Sequence, residues 1–394
     1  MMDVHLSLFD IMRYGHAVLL IIIHVAVVTG VYLEFVRGKK AESKKNSDPG
    51  EEPELKISVI IPVHNESARI KGLIKTLINQ SYKAQIIFVD DRSSDESPEI
   101  LAQFAKDASA RGFECKVITL KENTGLNCKQ YAVSKGIQEA DGGYILFTDG
   151  DCEVPPDWIK VMANRINNEE KTGAVLGPVF KKIEGNGFLN LFQGYDHALR
   201  YNYLAGAAGL GAAGGGFGNN LIISRKALEA TGGYDAIPPS PTEDAALITQ
   251  IRSKFNVRAI TSCEAAVITE PEKTWKAFIN QSLRWTNGGL FSREWLSRLN
   301  YNLLALIIGT GILVIPALPF FPCLWPLSAG VLINMIINTI AAFALYREKL
   351  PHRGFLKKAG YILCLFFMPV YFTLMSIMSY AHIKTTWKNK VITN

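Results

Sequence analysis

The sequence predicts an α/β domain with a mostly parallel sheet, flanked by membrane-spanning helices at both ends of the chain. Between residues 56 and 151, short apolar segments rich in β-branched residues alternate with segments of helical spacing. Such alternation is typical of parallel sheets with crossover helices. Apolar segments that approach or exceed the length of a bilayer span lie at residues 16–33 and 301–346.

The elements of this domain follow one another regularly along the chain. Each predicted strand is a short apolar run, and the first helix carries Ile70, Leu73, Ile74 and Leu77 at helical spacing. Because ligands of parallel sheets bind beyond the carboxyl ends of the strands, we expect the functional site there. The predicted strands are 56–63, 85–91, 116–120 and 143–151, and the predicted helices are 69–77, 98–110 and 129–137.

The N-terminal apolar segment predicts a retained membrane anchor. Residues 16–33 contain no Asp, Glu, Lys or Arg, and a bilayer span needs roughly 20 such residues. A signal peptide is the alternative, but Asp3 and Asp10 precede the segment and no small-residue cleavage site follows it. The basic segment at 37–45 indicates that the following domain faces the cytosol.

The C-terminal part predicts two or three further membrane helices. Residues 301–346 carry no charged side chain and are long enough for two spans, with a proline-rich turn between Pro316 and Pro326. A third segment, 359–383, also has the length of a span. The basic tail after it conflicts with an odd number of spans, so the number of spans and the side of the tail stay open.

These segments divide the chain into five regions, and we expect a multi-pass protein of the cytoplasmic membrane whose soluble domain is cytosolic. The charged segment before the soluble domain contains Pro and Gly and predicts a linker. The regions are an N-terminal membrane anchor (1–36), a linker (37–54), a soluble domain (55–300), C-terminal transmembrane helices (301–383) and a basic tail (384–394).

Composition argues against several classes of protein. The net charge of +6 is spread beside apolar segments, so membrane phospholipid is an expected partner and nucleic acid is not. The six cysteines include no C-x-x-C pair, which argues against a zinc site and against a disulfide framework. The long apolar segments carry no charge, which argues against a secondary transporter.

Polar side chains collect at the predicted carboxyl ends of three strands. Four of them are aspartates, and four carboxylates so close together would repel one another without a cation. The sequence therefore predicts a metal–phosphate site at this edge of the sheet. The side chains are His64, Asn65 and Glu66 after the first strand, Asp90 and Asp91 at the second, and Asp149 and Asp151 at the fourth.

Asp149 and Asp151 form a D-x-D pair at the exit of the fourth strand. Such a pair can chelate Mg²⁺ or Mn²⁺ and leave coordination positions for diphosphate oxygens. The metal would act as a Lewis acid toward a departing nucleotide. The alternative is a surface turn, since Asp-Gly-Asp is good turn chemistry, but the other acidic strand ends favour the metal.

Asp90 and Asp91 precede a segment rich in serine. Carboxylates accept hydrogen bonds from base N–H groups and ribose hydroxyls, so both aspartates are candidates for nucleotide binding. Ser93, Ser94 and Asp95 predict a helix cap. Both roles are compatible because they use different residues.

Two further motifs have a structural and a catalytic interpretation. Asp244 in the sequence TED is a candidate general base, while Thr242 is a candidate N-cap of the helix that follows. Gln281, Arg284 and Trp285 share one helix face, where Arg can bind diphosphate and Trp can stack on a sugar or acceptor. An interfacial amphipathic helix is the alternative.

The segment 206–220 is rich in glycine. It is neither a GxxxxGK[ST] loop nor a Rossmann turn. Close backbone approach to a ligand and a mobile acceptor loop are the functional interpretations. A loop without a special role is the alternative.

The order of these motifs resembles the membrane-bound family-two glycosyltransferases with the GT-A fold. Residues 56–300 contain PVHNE, VDD, D-x-D, a glycine-rich stretch ending in GNN, GGYD, TED and Q-x-x-R-W, in that order. The resemblance implies inverting sugar transfer in one displacement. It places Asp91 at the nucleotide base, Asp149 and Asp151 at the metal, and Asp244 as the general base.

The resemblance also implies a wider site, from which two positions depart. His64 stands where the family often has an aromatic or another polar residue, and Arg92 replaces a common glycine. Both departures put the choice of donor in doubt. Donor binding is assigned to Pro62, His64, Glu66, Asp90, Asp91, Lys129, Gln281, Arg284 and Trp285, and acceptor binding to Gly218, Asn219, Asn220, Glu243 and Trp285.

The expected reaction transfers a sugar, glucose from UDP-glucose, to the hydroxyl or carboxyl of a membrane-embedded lipid. In size and layout the chain is similar to carotenoid glycosyltransferases, which implies a hydroxylated carotenoid such as hydroxychlorobactene. Diacylglycerol, sterol-like and polyprenyl-phosphate acceptors stay open. A processive polysaccharide synthase is one alternative, although such chains usually carry a larger helical bundle. A catalytically silent membrane scaffold of the same fold is another.

Overall fold

The chain divides into two units. The computed structural model describes residues 7–47, 55–122, 127–185, 187–240, 242–350, 354–383, 385–387 and 390–392. The sheet unit comprises Gly30–Lys182 and Tyr203–Pro271, and the helical unit comprises Met1–Thr29, Ile183–Asn202 and Glu272–Asn394. Two segments of the predicted soluble domain, 183–202 and 272–300, therefore cluster with the helical unit.

The strands of the sheet unit form a larger and a smaller sheet. The larger sheet has seven strands in the order β3-β2-β1-β4-β8-β6-β9, and the smaller sheet has the order β5-β10-β7. The strands are β1 (Ile57–Val63), β2 (Gln85–Asp90), β3 (Glu114–Thr119), β4 (Tyr144–Phe147), β5 (Cys152–Glu153), β6 (Thr172–Leu176), β7 (Val179–Lys181), β8 (Leu221–Ser224), β9 (Asn256–Ala259) and β10 (Val267–Thr269).

The larger sheet is mostly parallel, which confirms the predicted fold class. Strand β1 pairs in parallel with β2 and β4, and β2 pairs in parallel with β3. Strand β8 runs antiparallel to its neighbours β4 and β6. The strand order reverses between β1 and β4, and ligands of open α/β sheets bind in the crevice at such a point.

The predicted helices 69–77, 98–110 and 129–137 correspond to α2, α3 and α4 within one residue at each end. The predicted fourth strand is shorter than expected, because residues 148–151 leave the sheet as a turn. The helices are α1 (Leu8–Ser47), α2 (Ile70–Leu77), α3 (Ser97–Ala110), α4 (Cys128–Gln138), α5 (Trp158–Asn167), α6 (Phe188–Gly209), α7 (Arg225–Ala230), α8 (Glu243–Arg252), α9 (Trp275–Leu290), α10 (Trp295–Leu313), α11 (Trp325–Tyr346) and α12 (Phe355–Tyr380).

The core of the sheet unit lies on both faces of the larger sheet. Strand β2 is buried at every position and β1 at all but Pro62. Such continuous burial is expected of parallel strands that helices cover on both sides. The buried strands β1 and β2 therefore hold the polar residues at their carboxyl ends in fixed positions.

Within the described residues, four helical segments are long and apolar enough to cross a membrane. The predicted hairpin is present as α10 and α11, and its proline-rich turn contains two short 3-10 helices, Ile315–Ala317 and Pro322–Leu324. Helix α10 begins at Trp295, before the predicted start of the membrane region at 301. The four segments are Leu8–Ala41, Trp295–Ala317, Pro322–Tyr346 and Phe355–Tyr380.

Helix α1 is longer than the predicted anchor. It continues to Ser47, so the part of the predicted linker at 37–47 is helical, which agrees with the helix propensity of its Lys, Glu and Ala residues. The remaining linker residues, 48–54, lie outside the described residues. In the predicted tail, β11 (Thr385–Trp387) and β12 (Lys390–Ile392) pair antiparallel, and residues 384, 388, 389, 393 and 394 lie outside the described residues.

Candidate active site

Hydrogen bonds join the loops that follow β1 and β2. The ring Nδ1 of His64 lies 2.6 Å from the backbone oxygen of Asp91. The backbone N–H of Asn65 donates to Ser93 Oγ at 2.9 Å, and Asn65 Oδ1 accepts from the backbone N–H of Ser94 at 2.8 Å. Asn65 has a φ of 54°, a conformation that Asn tolerates better than most residues. The structure thus brings together the two loops that the sequence assigns to the nucleotide.

Asp90 and Asp91 are buried, with 1% and 6% of their surface exposed. Asp90 Oδ1 accepts from the backbone N–H of Ser93 at 3.2 Å, and its Oδ2 has no hydrogen-bond partner among the described residues. Arg92 Nε lies 2.9 Å from Asp91 Oδ1, and this hydrogen bond raises the pKa of the Arg92 guanidinium. Arg92 has a φ of 58°, which a glycine adopts at lower cost.

Basic side chains accompany the two aspartates that follow β4. Lys129 Nζ lies 2.7 Å from Asp149 Oδ1 and donates to its Oδ2 at 2.9 Å. Arg69 pairs with Glu66 at 2.6 Å and approaches Asp151 Oδ2 at 3.7 Å. The repulsion expected among the carboxylates is therefore reduced by side chains, and the sequence pattern gave no sign of these pairs.

Lys129 faces three carboxylates of the sheet unit. Burial would lower the pKa of its amine, but Asp149, Glu243 and Asp244 outweigh this effect and raise the pKa above its usual value. Asn127 fixes the start of α4 by accepting from the backbone N–H of Lys129, and it also donates to Glu243 at 3.2 Å. Lys129 is therefore a permanent cation that is held beside the D-x-D pair.

Asp244 lies in the first turn of α8, where backbone N–H groups hold its carboxylate. Oδ2 accepts from the N–H of Gly218 at 3.0 Å, and Oδ1 accepts from the N–H of Ala245 at 2.8 Å. The helix dipole also stabilises a negative charge at this end. Thr242 occupies the predicted N-cap position, although its side chain makes no capping hydrogen bond.

The glycine-rich segment supports Asp244 through a close backbone approach. Its first four residues, 206–209, belong to the end of α6. A Cβ at Gly218 would lie 3.2 Å from Asp244 Cβ and Oδ2, which is tighter than most Cβ contacts. The backbone at Gly218 thus closely approaches Asp244, and a close approach to a ligand stays a prediction.

Several of the predicted residues line one open pocket. Tyr234, which the sequence analysis used only within the motif GGYD, also lines this pocket. Burial raises the pKa of the Tyr234 phenol well above its usual value, so the hydroxyl keeps its proton and can donate it in a hydrogen bond. The predicted residues in the lining are Pro62, Lys129, Asp149, Gly218, Glu243 and Asp244.

The side chain of Asn220 is held by hydrogen bonds inside the sheet unit. It is fully buried. Its Oδ1 accepts from the indole N–H of Trp158 at 2.9 Å, and its Nδ2 donates to the backbone oxygens of Pro178 and Ala265 at 2.8 and 2.7 Å. These bonds use both ends of the amide, and the contact of Asn220 with an acceptor stays a prediction. Asn219 is only partly buried and remains a candidate.

The motif Q-x-x-R-W lies on α9 in the helical unit, as the sequence predicts for a helix. Gln281 Nε2 donates to Glu272 at 3.1 Å. The indole of Trp285 contacts two side chains of α6: the guanidinium carbon of Arg200 lies 5.3 Å from its ring centre, and the imidazole of His197 lies at 5.5 Å.

The residues at the D-x-D pair fit a divalent metal as part of a shared coordination sphere. Asp149 and Asp151 supply carboxylate oxygens, which Mg²⁺ and Mn²⁺ prefer. Across the described residues, no group of three or more His, Cys, Asp or Glu side chains is arranged to hold a metal ion. A metal here would therefore need oxygen ligands from a bound substrate or from water.

The fold is of the GT-A type, with acidic side chains at the carboxyl ends of its strands. The whole chain superimposes on the mannosyltransferase PcManGT from Pyrobaculum calidifontis with a TM-score of 0.50 and 17% identity, covering 96% of this chain and 100% of that one. That protein was solved with GDP-Man and Mn²⁺. At this identity the similarity supports the fold alone.

Residues 58–232 match the domain family "Glycosyl transferase family 2". The predicted enzyme class, glycosyltransferase, is confirmed for this domain. The matched range contains the loops after β1 and β2, the D-x-D pair and Gly218.

Three curated relatives are similar over most of the chain. The probable glycosyltransferase YdaM of Bacillus subtilis is 27% identical over 69% of this chain. The poly-beta-1,6-N-acetyl-D-glucosamine synthase of Staphylococcus epidermidis is 26% identical over 64%, and the beta-monoglucosyldiacylglycerol synthase of Trichormus variabilis is 26% identical over 59%. The matches span 64%, 59% and 48% of the respective relatives.

Proposed function

We propose that this chain transfers a sugar from a nucleoside diphosphate donor to a membrane lipid, in a metal-dependent reaction with inversion. The observation that carries the proposal is the pocket that Asp149, Lys129 and Asp244 share. It combines a carboxylate for a metal, a permanent cation for a diphosphate, and a carboxylate placed to accept a proton. Such a combination suits displacement of a nucleoside diphosphate by a hydroxyl.

The donor is assigned to the loops after β1 and β2 and to Lys129. Asp90 offers a buried Oδ2 that has no partner among the described residues, and Asp91 lies beside it. Acceptors of this kind pair well with base N–H and ribose hydroxyl groups. The end of β1 contributes Pro62 to the donor site, and the loop after β1 contributes His64 and Glu66. We assign a UDP-sugar, with UDP-glucose first.

The metal, Mg²⁺ or Mn²⁺, is assigned to Asp149 and Asp151. When bound, it would supply Lewis-acid stabilisation of the charge on the departing nucleoside diphosphate. Lys129 would add a second positive charge to the same group. Both aspartates also contact basic side chains, Lys129 and Arg69. These side chains place positive charge where an anionic substrate would bind.

Asp244 is assigned as the general base that takes the proton from the acceptor hydroxyl. A general base must lie within hydrogen-bond reach of that proton. The two backbone hydrogen bonds to Asp244 fix the carboxylate in orientation. Direct attack by the hydroxyl that Asp244 activates would invert the anomeric centre in one step.

The acceptor is assigned to Gly218, Asn219 and Glu243 in the sheet unit and to Trp285 in the helical unit. Gln281 and Arg284 complete the set as contacts of the diphosphate. A lipid acceptor is supported by the four helices that are able to span a membrane and by a relative named for glucosyldiacylglycerol synthesis. Within lipids, we put forward hydroxylated carotenoids and diacylglycerol as the two acceptors to test.

A processive polysaccharide synthase is the second candidate, because one relative is named as a polymer synthase. Three of the helices able to span a membrane follow the sheet unit in sequence. We favour single transfer because a polymer channel usually needs a larger bundle. A silent scaffold is disfavoured, since Asp149 and Asp244 line the same pocket as Lys129. We propose the cytoplasmic membrane as the location, with the sheet unit in the cytosol.

The proposal is tested with isolated membranes that contain the protein. Release of nucleoside diphosphate and transfer of radiolabel are followed for UDP- and GDP-sugars, with total lipid extract and Mg²⁺ or Mn²⁺ present. We expect one UDP-sugar to label an organic-soluble product, EDTA to abolish the label, and Asp151→Ala to abolish it as well. Glu139→Gln, on the exposed end of α4, is the matched control and should keep wild-type activity.

Three outcomes decide between the candidates. Label in an organic-soluble product supports lipid transfer, and mass spectrometry of that product identifies the acceptor. Label in a high-mass, lipid-insoluble product supports the polymer synthase. If no donor is consumed and calorimetry detects no metal-dependent binding of UDP, the scaffold interpretation replaces both.

A further inference from the structure

Helix α6 carries a buried ion pair that the sequence motifs do not include. Within the helical unit, Arg200 Nε donates to both carboxylate oxygens of Asp196, at 2.9 and 2.8 Å. The two residues are four positions apart, so they lie one above the other on the same helix face. Asp196 is only 2% exposed. Arg200 is partly buried, and its Nε–H, shared between the two oxygens of a buried carboxylate, restrains the guanidinium.

The same guanidinium lies over the indole of Trp285, at 5.3 Å from the ring centre. On α6, His197 contacts this indole edge-to-face, with ring centres 5.5 Å apart and an interplanar angle of 64°. His197 is also 2% exposed. Trp285 therefore contacts two side chains of α6, and one of them is itself fixed by Asp196.

Two roles for Arg200 can be compared on these contacts. Both hydrogen bonds to Asp196 come from Arg200 Nε, so a phosphate bound by Arg200 would have to use the Nη groups. Contact with an aromatic face leaves those bonds intact, because a guanidinium stacks on a ring through its flat face. Asp196 also raises the pKa of Arg200 against the opposing effect of burial, so the cation is permanent.

We infer that Asp196 and Arg200 are positioning residues that hold the indole of Trp285 in one orientation. The inference rests on the proposed function, in which Trp285 contacts the lipid acceptor. Asp196 acts through Arg200, and Arg200 acts through Trp285, so neither needs to touch a substrate. Loss of either residue should weaken the use of the acceptor and leave the use of the donor unchanged.

The kinetic test uses the full-length protein in membranes, with UDP-glucose as donor and total lipid extract as acceptor. The variants are Arg200→Ala, Arg200→Lys and Asp196→Asn. We expect Arg200→Ala and Asp196→Asn to raise the apparent KM for the lipid extract about 10-fold, as loss of a partly desolvated cation–π contact predicts. Arg200→Lys should show a smaller increase. The KM for UDP-glucose should stay within about twofold of wild type.

Tyr195→Phe is the matched control on the same helix. It removes the hydrogen bond between the Tyr195 hydroxyl and Thr339, 2.5 Å long, without touching Trp285. A general loosening of α6 would change this variant in the same way as Arg200→Ala. Equal changes in both variants, or no change of the lipid KM in Arg200→Ala, overturn the inference.

A spectroscopic measurement tests the contact without any activity. The emission of Trp285 is obtained as the difference between protein with Trp285 and the same protein with Trp285→Phe. We expect Arg200→Ala and Asp196→Asn to increase acrylamide quenching of this emission, and Tyr195→Phe to leave it unchanged. Unchanged quenching in Arg200→Ala overturns the inference. If lipid transfer is absent in wild type, the proposed function fails, while the quenching result still decides the positioning role.

Discussion

Two basic side chains offset the negative charge at the acidic edge of the sheet. Lys129 contacts Asp149, and Arg69 lies between Glu66 and Asp151. These basic residues come from α4 and from the loop before α2, far from the aspartates in sequence. Their side chains offset the charge of the neighbouring carboxylates, and they provide positive charge where an anionic donor would bind.

The proton-accepting role of Asp244 is tested by Asp244→Asn. The amide keeps the size of the carboxylate and can still accept from the Gly218 N–H, but it cannot take a proton. We expect turnover to fall by about 10²–10⁴-fold, the usual contribution of a general base. Turnover is measured as label transferred into lipid. Calorimetry should show UDP binding close to wild type, and a variant that keeps a tenth of wild-type turnover would contradict the assignment.

The contact between Gly218 and Asp244 is tested by Gly218→Ala. The new Cβ would lie 3.2 Å from Asp244 Cβ and Oδ2, so the carboxylate must shift by a few tenths of an ångström. We expect turnover to fall about 10-fold, because catalytic groups tolerate little displacement. Gly215→Ala is the control, since its Cβ would meet its nearest neighbour at an ordinary 3.6 Å. Similar turnover in the two variants would show that the position of Asp244 does not depend on Gly218.

At the scale of elements, the end of α1 is an integral part of the sheet unit. Glu34 of α1 is 1% exposed and binds Arg165 of α5 at 2.7 Å. Glu34 Oε2 also accepts from the backbone N–H of Ala259 in β9 at 3.0 Å. A linear sequence offers no sign of this, because Glu34 stands at the end of an apolar segment and resembles a boundary residue. The helix is therefore more than a tether for the domain.

The packing of α1 on α6 is tested by Gly30→Ala. A Cβ at Gly30 would overlap the backbone oxygen of Gly206, so the helices must separate. We expect a loss of about 1–3 kcal/mol in stability, typical of overpacking. Thermal unfolding in detergent measures it. Gly38→Ala on the same helix meets nothing within 4 Å and should be neutral or stabilising, so an equal loss in both variants would contradict the close contact.

At the scale of the whole molecule, regular patterns were predictable and long-range pairings were not. The first four strands and the helices between them follow from apolar runs and spacing. Strands β6 to β10 are only three to five residues long, and the antiparallel direction of β8 depends on its pairing with β4 and β6. The site was predictable where motifs end strands, as at Asp149. It was not predictable where a polar residue packs inside, as Asn220 does.

Membrane sidedness is the property of the whole chain that most directly tests the proposed location. The basic segments at 37–45 and 347–358 favour the cytosol, so the turn between α10 and α11 should face outward. Cys323 lies in this turn and is exposed. In a variant that keeps Cys323 as its single cysteine, we expect a membrane-impermeant maleimide to label intact cells. A matched single-cysteine variant with Arg111→Cys, on the exposed end of α3, should be labelled only after permeabilisation. The reverse pattern would place the sheet unit outside the cytosol, where no nucleotide-sugar supply is expected, and would remove the support for the proposed donor.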